Sequence, residues 1–423
     1  MMLARVAAAG YEIVPEDIDA DVMIVNTCAF IRSAKEEGIE TILDLAWLKE
    51  NRNLKAIILT GCMVQRYMDE IRESLPEVNA ALSMGEEHRI AEAIERVLRG
   101  EKCFWLNAPE KQVTEGDRAL FHDHFAYLRL SDGCDHYCSY CAIPMIRGRF
   151  RSRKMEDVLK EAKTLSEMGI REIVLVAQDT TRYGLDLYGR LALPELLEKL
   201  ASDEYGFRWI RLLYCYPDTV TDELVSVMAK HKNICKYMDL PIQHISDPVL
   251  TAMRRRGGRK EIEACIEKLK KAMPDIVLRT TVMVGFPGEK AADFSQLVQF
   301  VKEGHFQRLS AFAYSREEGT RAYSLPGQVT EKTKKVRLDS VMQAQFSVAE
   351  RYNESLIGKK FTVLCEGYDP VLKRFYGRTE FHAPEIDGCV YFTSFKKRAC
   401  GDFVTVLIEE VMEYDLLGKE VQV

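Results

Sequence analysis

Hydrophobic and polar positions change rhythm three times along this chain. Near the amino terminus two almost unbroken apolar runs, "DVMIVNTC" and "KAIILTGC", are each followed by a polar stretch with helical spacing, the first from Ser33. Short buried strands alternating with helices predict a parallel sheet covered on both faces, with ligands beyond the carboxyl ends of its strands. Each run ends on a cysteine, which places Cys28 and Cys62 on the same crevice. A small buried thiol is also an ordinary core residue, and that reading stays open for both. From Cys103 to Asp123 the rhythm dissolves into turn formers and charge, which reads as a linker.

Six strand-like runs come next: "AYLRLS", "REIVLVAQ", "WIRLLY", "KYMDLPI", "VLRTTVMVGF" and "RLSAFAYS". Amphipathic stretches such as Met155 to Met168 and Lys260 to Ala272 lie between most of them. Strands with helical crossovers predict an open or partial β/α barrel, which carries its chemistry at the carboxyl-terminal rim. Lys332 to Asn353 reads as one long closing helix. After Gly358 short alternating strands separated by Gly, Pro and Asp predict a small antiparallel barrel. The expected fold is α/β: an N-terminal parallel α/β domain over 1–102, a linker over 103–123, a partial TIM-like barrel over 124–355 and a small β-barrel over 356–423.

Composition narrows the class. A chain of 423 residues, 47% hydrophobic and 29% charged, buries its cores without needing disulfides. No apolar run approaches the roughly 20 residues of a membrane span, and the opening lacks the apolar core of a signal peptide. Twelve cysteines in such a chain point to reduced thiols in a cytoplasmic protein, some of them metal ligands. The net charge of −6 argues against bulk attraction to nucleic acid, although a local basic patch could still steer an acidic partner.

The densest chemistry lies in "SDGCDHYCSYCAIPMIRGRFRSR", directly after the first barrel strand. Cys134, Cys138 and Cys141 stand at C-x3-C-x2-C spacing. Structural zinc is closed by four protein ligands, and His136, lodged between two of the cysteines, is badly placed to be the fourth. A cubic iron–sulfur cluster has four irons, so three thiolates leave one iron open to a substrate or cofactor. Behind them Arg147, Arg149, Arg151 and Arg153 alternate ahead of Lys154; on a strand the four arginines share one face, either solvated or turned to a carboxylate-bearing substrate.

With Tyr140 just before its last cysteine, this loop resembles the radical S-adenosylmethionine superfamily. "VNTCAF", "GCMVQRY", "LVAQDTTRYG", "YMDLPIQHISDPVL", "LRTTVMVGFPGE" and "AFAYSREEGT" extend the likeness to the methylthiotransferases over nearly the whole chain. The resemblance implies a radical SAM barrel followed by an OB-like TRAM domain. It implies a 4Fe–4S cluster on Cys134, Cys138 and Cys141, whose fourth iron chelates S-adenosylmethionine for reductive cleavage to a 5′-deoxyadenosyl radical. Tyr140, Gln178, Asp179, Gln243, Arg279 and Gly285 are the implied cofactor contacts. Gln178 and Asp179 end one strand, Gln243 follows another, and Arg279 lies in the next, where its planar fork could take a carboxylate. Gly285 opens "GFPG", which the family lays along the adenine; a tight turn starting a helix explains the same residues without a ligand. His244, Tyr183 and Tyr214 fall near the rim, with packing as the competing role.

The family holds a second 4Fe–4S cluster on three N-terminal cysteines, two of which match Cys28 and Cys62. In the family the third follows a first strand, ahead of the helix leading into "GYEIV", whereas this chain opens at "MMLARVAAAGYEIV". On that pattern a strand and its cysteine-bearing loop, on the order of twenty residues, are expected to be absent. Cys103, away from a strand's carboxyl end, is expected to be no substitute. Radical generation would then persist with sulfur insertion impaired, and a sheet edge would be exposed.

Within the family the chain looks most like the branch that methylthiolates the β-carbon of an aspartate in small-subunit ribosomal protein twelve, using S-adenosylmethionine as radical source and methyl donor. A carbon without an acidic proton calls for radical abstraction. From Gly358 onward nine Lys and Arg face eleven Asp and Glu, a net of −2, so direct RNA binding by the TRAM domain is not expected. The alternatives are a transfer-RNA adenosine methylthiotransferase, marked by a basic stripe across barrel and rim, and a non-enzymatic zinc- or RNA-binding protein. A monomer is expected, and electron donor and sulfur donor are not specified.

Overall fold

The computed structural model describes residues 2–14, 20–107, 118, 120 and 122–422. By its contacts the chain forms two compact units. The first comprises Met1–Phe121, Gly133–Phe150 and Ser315–Ser324, and the second His122–Asp132, Arg151–Tyr314 and Leu325–Val423.

In the first unit four parallel strands lie in chain order: β1 (Val22–Thr27), β2 (Ala56–Gly61), β3 (Ala80–Leu82) and β4 (Cys103–Trp105). Side chains of β2 alternate between the two faces, as a strand's period of two requires. Ile57 and Leu59 pack with Ile42 and Leu45 of α2 (Arg32–Asn51) and Met63 and Met68 of α3 (Cys62–Ser74). Ala56 and Ile58 pack on the other side with Val6 of α1 (Met2–Ala8) and with Ile90, Ile94 and Val97 of α4 (Ile90–Leu98). All of β2 is buried, which is why "AIILTG" is an unbroken apolar run; each buried Ile or Leu contributes roughly 1.5–3 kcal/mol. The linker read from Cys103 starts instead on β4, where Cys103 is buried and pairs with Ala80 at the amino end of its strand. Three residues are too few to show a period. Residues 108–117, 119 and 121 of that linker lie outside the described residues.

In the second unit β5 (Phe125–Arg129) leads to an antiparallel pair, β6 (Ser131–Asp132) with β7 (Arg151–Ser152). β8 (Glu172–Val176), β9 (Trp209–Leu212), β10 (Ile234–Asp239), β11 (Val277–Val284) and β12 (Arg308–Ala313) then join β5 in an open, parallel six-stranded sheet, in chain order. These are the six expected strands. The closing helix spans Glu331–Glu354, is capped by the Thr330 side chain accepting from Thr333 N–H, and buries Val341, Val348 and Ala349.

The last segment is a closed barrel ordered β13 (Lys360–Asp369), β14 (Arg374–Arg378), β15 (Val390–Thr393), β17 (Asp415–Glu420), β16 (Phe403–Met412). It departs from the antiparallel expectation in one pair, because β15 and β17 run parallel. It lies against the amino ends of the large sheet, where Leu364 and Ala383 join Phe125, Trp209, Cys235 and Val277 in one core. A buried ion network crosses the same seam. Glu172 accepts from Arg211 at 2.7 Å and from Arg378 at 2.8 Å, and Arg378 also bonds Glu366. Among the described residues no helix is long and apolar enough to cross a membrane.

Candidate functional site

The excursion between β6 and β7 carries the three-cysteine loop and belongs to the first unit. Its base is drawn together by backbone: Cys134 N–H donates to Gly148 O at 3.2 Å and Phe150 N–H to Asp135 Oδ1 at 3.2 Å. Gly133 sits at φ 75°, and a Cβ there would stand 2.1 Å from Arg149 O, so the closure requires glycine. Cys134 and Cys138 are buried and Cys141 is half-buried. Cys141 N–H donates to Cys138 O at 3.0 Å, and Ile143 N–H reaches Cys141 Sγ at 3.5 Å. Tyr140, beside Cys141, is half-buried. Among the described residues no three Cys, His, Asp or Glu side chains are grouped to share one metal ion. A cubane sets a different requirement, because each thiolate takes its own iron.

The basic run does not form the single face expected of it. Arg147 ends the short helix α5 (Ile143–Arg147), and Gly148 turns the chain at φ 70°. Arg149 lies 3.5 Å from Asp135, while Arg153 is held by Glu161 at 2.6 Å and donates to Arg129 O.

Cys28 and Cys62 leave the first unit's sheet side by side. β1 and β2 pair in register, Thr27 against Gly61, and the next residue of each chain is the cysteine. Cys28 is exposed; Cys62 is half-buried and packs with Met84, Ala142 and Ile146. Ala142 directly follows Cys141, so both cysteine sets are anchored in one unit.

A second tie escaped the sequence reading. Arg66, one turn after Cys62, donates to Ala29 O at 2.6 Å and to Glu318 O at 3.0 Å. The neighbouring Glu317 is buried, accepts from Lys35 at 2.7 Å and lies 3.6 Å from Arg66. Burial raises the Glu317 carboxyl, but hydrogen bonds from Lys35 and Ser315 outweigh it and hold it below its ordinary range. Further along the same loop, Ala322 N–H donates to Ser139 O, between Cys138 and Cys141, at 2.7 Å. The spacing from Cys62 to Arg66 was the available signal, since residues four apart share a helix face.

In the second unit the carboxyl ends of the strands hold polar atoms with nothing to bond. Gln178, past β8, and Gln243, past β10, each have a buried Oε1 without a partner. Gln243 lies at φ 70°, and Tyr214, past β9, at φ 59°. Such left-handed residues cost of order 1–3 kcal/mol and persist where the surroundings impose them. His244 is fully buried; its Nδ1 accepts from Ser246 N–H at 2.9 Å and its Nε2 has no partner. Burial drives its pKa down to about 4, so the ring is neutral and Nε2 carries the hydrogen. Asp179 is buried and accepts from Thr181 Oγ1 at 2.6 Å. Tyr183 is a packing residue, buried with its hydroxyl donating to Arg153 O. In the second unit, buried amide oxygens beside strained backbone fit a polar cofactor carrying ammonium and hydroxyl donors; in the first, three thiols on one tied loop fit a cluster.

Arg279 is held by protein groups. Its Nη1 donates to Asp239 at 2.8 Å and to Thr281, its Nη2 to Ser310 at 2.9 Å, and Asp387 lies 3.8 Å from its Nε. The fork is already committed to protein carboxylates. Gly285 sits at φ 72°, and a Cβ would meet Lys334 Cγ at 2.3 Å. The Gly285 and Phe286 N–H groups both donate to Glu289 Oε2. That is the geometry of a tight turn opening a helix.

The profile of the Radical SAM superfamily matches residues 128–301, that of the TRAM domain 357–421, and that of "Uncharacterized protein family UPF0004" 1–83. The chain is 45% identical over 402 residues to "Ribosomal protein uS12 methylthiotransferase RimO" of Clostridium tetani, covering 95% of this chain and 90% of the relative. It is 45% identical over 433 residues to the protein of the same name in Pelotomaculum thermopropionicum, covering 100% and 95%. Among solved structures, the radical S-adenosylmethionine methyltransferase TsrM from Kitasatospora setae matches with a TM-score of 0.54 at 12% identity, over 76% of this chain and 68% of that one. That likeness speaks for the fold alone.

Proposed function

We infer, for a chain that belongs to the ribosomal protein uS12 methylthiotransferase RimO family, that it replaces a hydrogen on the β-carbon of an aspartate in uS12 with a methylthio group. The observation that carries this reading is the loop carrying Cys134, Cys138 and Cys141, tied at its base. When bound, a 4Fe–4S cluster and S-adenosylmethionine supply a carbon radical able to abstract an unactivated hydrogen.

The chain's own residues supply the rest. Cys134, Cys138 and Cys141 would hold three irons, with Ile143 N–H supporting the Cys141 sulfur. Gln178 and Gln243 would offer S-adenosylmethionine buried acceptors, with Asp179 and Gly285 as further contacts in the same unit, and Tyr140 would be a contact from the cysteine loop. Cys28 and Cys62 would supply two of the three thiols that the family's N-terminal cluster takes; Arg66 and Glu317 position their strand ends relative to the cysteine loop inside the first unit. The working division is an N-terminal domain to residue 102, a radical SAM domain over 124–355 and a TRAM domain over 356–423, in a cytoplasmic monomer.

The test is anaerobic: reconstituted protein, dithionite, sulfide and S-adenosylmethionine, with uS12 or transfer RNA as substrate. The expected outcome is 5′-deoxyadenosine together with a uS12 peptide carrying one methylthio group in place of one aspartate hydrogen. Both products should vanish in Cys134→Ala. Modified transfer RNA with unmodified uS12 would move the protein to the other branch, and bound zinc without iron would make it a binding protein.

A further inference from the structure

Beyond its cysteines, the first unit carries an apolar surface that its own core does not use. On α2, Ile42 and Leu45 pack into the core, while Ile39, Leu43 and Trp47 are 40%, 51% and 56% exposed. Spaced four apart, the three form one row along the helix. Glu36, Glu40 and Asp44, all exposed, each stand three residues before a member of that row and so beside it. Glu36 is taken by Arg32 at 2.7 Å, whereas among the described residues no cation pairs with Glu40 or Asp44.

The row opens into a cleft. Ile39 also lines a recess of about 770 Å³, together with Met63, Tyr67 and Ile71 of α3 and Tyr323 of the 315–324 loop. α3 leaves helical geometry at Tyr67 (φ −134°, ψ 36°), and Lys35 and Arg66 hold that ring from 5.6 and 4.9 Å. Charges rim the cleft unevenly. Lys35 is taken by Glu317, and Arg316 lies over the Tyr323 ring with its Nε on Tyr323 O. Glu70 and Glu318 are exposed and, among the described residues, paired with no cation. Met63 directly follows Cys62, and Arg66 joins Glu318 O to Ala29 O, next to Cys28, so the cleft adjoins the cysteines of its own unit.

Shape and charge together set what fits. A closed recess suits a small molecule, but this one runs on into an exposed row that ends in tryptophan, and a contiguous apolar surface with an aromatic anchor marks a protein interface. Unpaired carboxylates along both parts repel a polyanion such as RNA and attract cations. A protein that sits among ribosomal RNA has to neutralise phosphates and is therefore rich in Lys and Arg.

We propose, resting on the reading that uS12 is the substrate, that this face of α2 and the adjoining cleft dock a basic segment of uS12. Apolar side chains of that segment fill the cleft and lie along Ile39, Leu43 and Trp47, and its cations meet Glu40, Asp44, Glu70 and Glu318. The segment is thereby held on the unit that carries both cysteine sets.

The experiment titrates reconstituted holoenzyme, without oxygen, onto immobilised uS12 and reads Kd at low and moderate salt. Leu43→Ala and Trp47→Ala should each weaken binding about tenfold, because an interface anchor is lost. Both side chains are exposed, so the protein's own core stays intact. Glu40→Lys combined with Asp44→Lys should weaken binding most at low salt and flatten its salt dependence. Leu98→Ala, exposed on α4 across the sheet, should bind as the unaltered protein does. Unchanged Kd in α2 variants whose melting curves show them folded overturns the docking surface; if the unaltered protein still binds and methylthiolates uS12, the proposed function stands. An unaltered protein that neither binds nor modifies uS12 overturns both. Dimers in sedimentation that Trp47→Ala dissolves would put a second copy on this face and overturn the docking of uS12 there.

Discussion

The two ends of the large sheet treat buried polar groups in opposite ways. At the amino ends Glu172, with no exposed surface, is matched by Arg211 and Arg378, and Glu366 by Arg378. At the carboxyl ends Gln178 and Gln243 bury oxygens that bond nothing, and His244 buries an N–H that bonds nothing. A buried carboxylate among guanidinium groups is tolerated because each charge is answered by another, and it makes the seam intolerant of losing a partner. An orphaned acceptor costs free energy in the empty protein, and a ligand that satisfies it offsets that cost on binding. One end therefore reads as structure and the other as site. The seam is not perfectly satisfied: among the described residues Arg211 Nη2, Arg308 Nε and Nη1, and Gln345 Oε1 beside the Phe306 and Gln307 carbonyls have no partner, yet none of these is a carboxylate.

The largest effect that would break this contrast belongs to Glu172→Ala. It leaves Arg211 without a carboxylate and Arg378 with Glu366 alone, and should lower stability by about 3–5 kcal/mol in urea unfolding. A loss under about 1 kcal/mol would mean the seam carries no more weight than the surface.

Acid should separate the two ends by pH window. The folded-state pKa of His244, about 4 beside Asp293 and Arg337, is below its unfolded value. The unfolded chain thus binds the extra proton, so stability is complete above about pH 6.5 and declines as pH falls toward 4, by up to about 3 kcal/mol. Glu172 and Glu366 are held below the ordinary carboxylate range, so their contribution is lost only below about pH 4.3, as pH falls through their folded values. In His244→Phe the upper window should flatten while the lower one stays; unchanged curves would remove His244 from the contrast.

Smaller effects sharpen it. Gln243→Ala should weaken S-adenosylmethionine binding about tenfold by equilibrium dialysis, with a stability change of less than about 1 kcal/mol. Equal loss of both would make Gln243 a packing residue. Gln243→Gly should lose affinity similarly and gain up to about 1 kcal/mol of stability, because glycine accepts φ 70° without strain.

How legible these features were depends on the range of the interaction that makes them. "AIILTG" and the six barrel runs announce their strands because burial on both faces writes an unbroken apolar word. β4, three residues long, and β17, "DLLGKE", carry too little pattern to be read, and both are completed by partners elsewhere in the chain. The cysteine loop was legible because its chemistry is local, three thiols within eight residues. The pairing of Arg279 with Asp239 and Asp387 was not legible, because both carboxylates are remote in the chain. Glu317 was seen as part of a motif, but its partner Lys35 is 282 residues away.

Periodicity, cysteine spacing and the apolar runs belong to the sequence by itself, since covalent order and side-chain burial act over a few residues. They determined the strands and the spacing of Cys134, Cys138 and Cys141. Which charges are paired and which amide oxygens are left without partners were decided only by the tertiary structure. Hydrogen bonds and ion pairs act over a few ångströms of space, and the chain brings those atoms together only once every strand has found its neighbour.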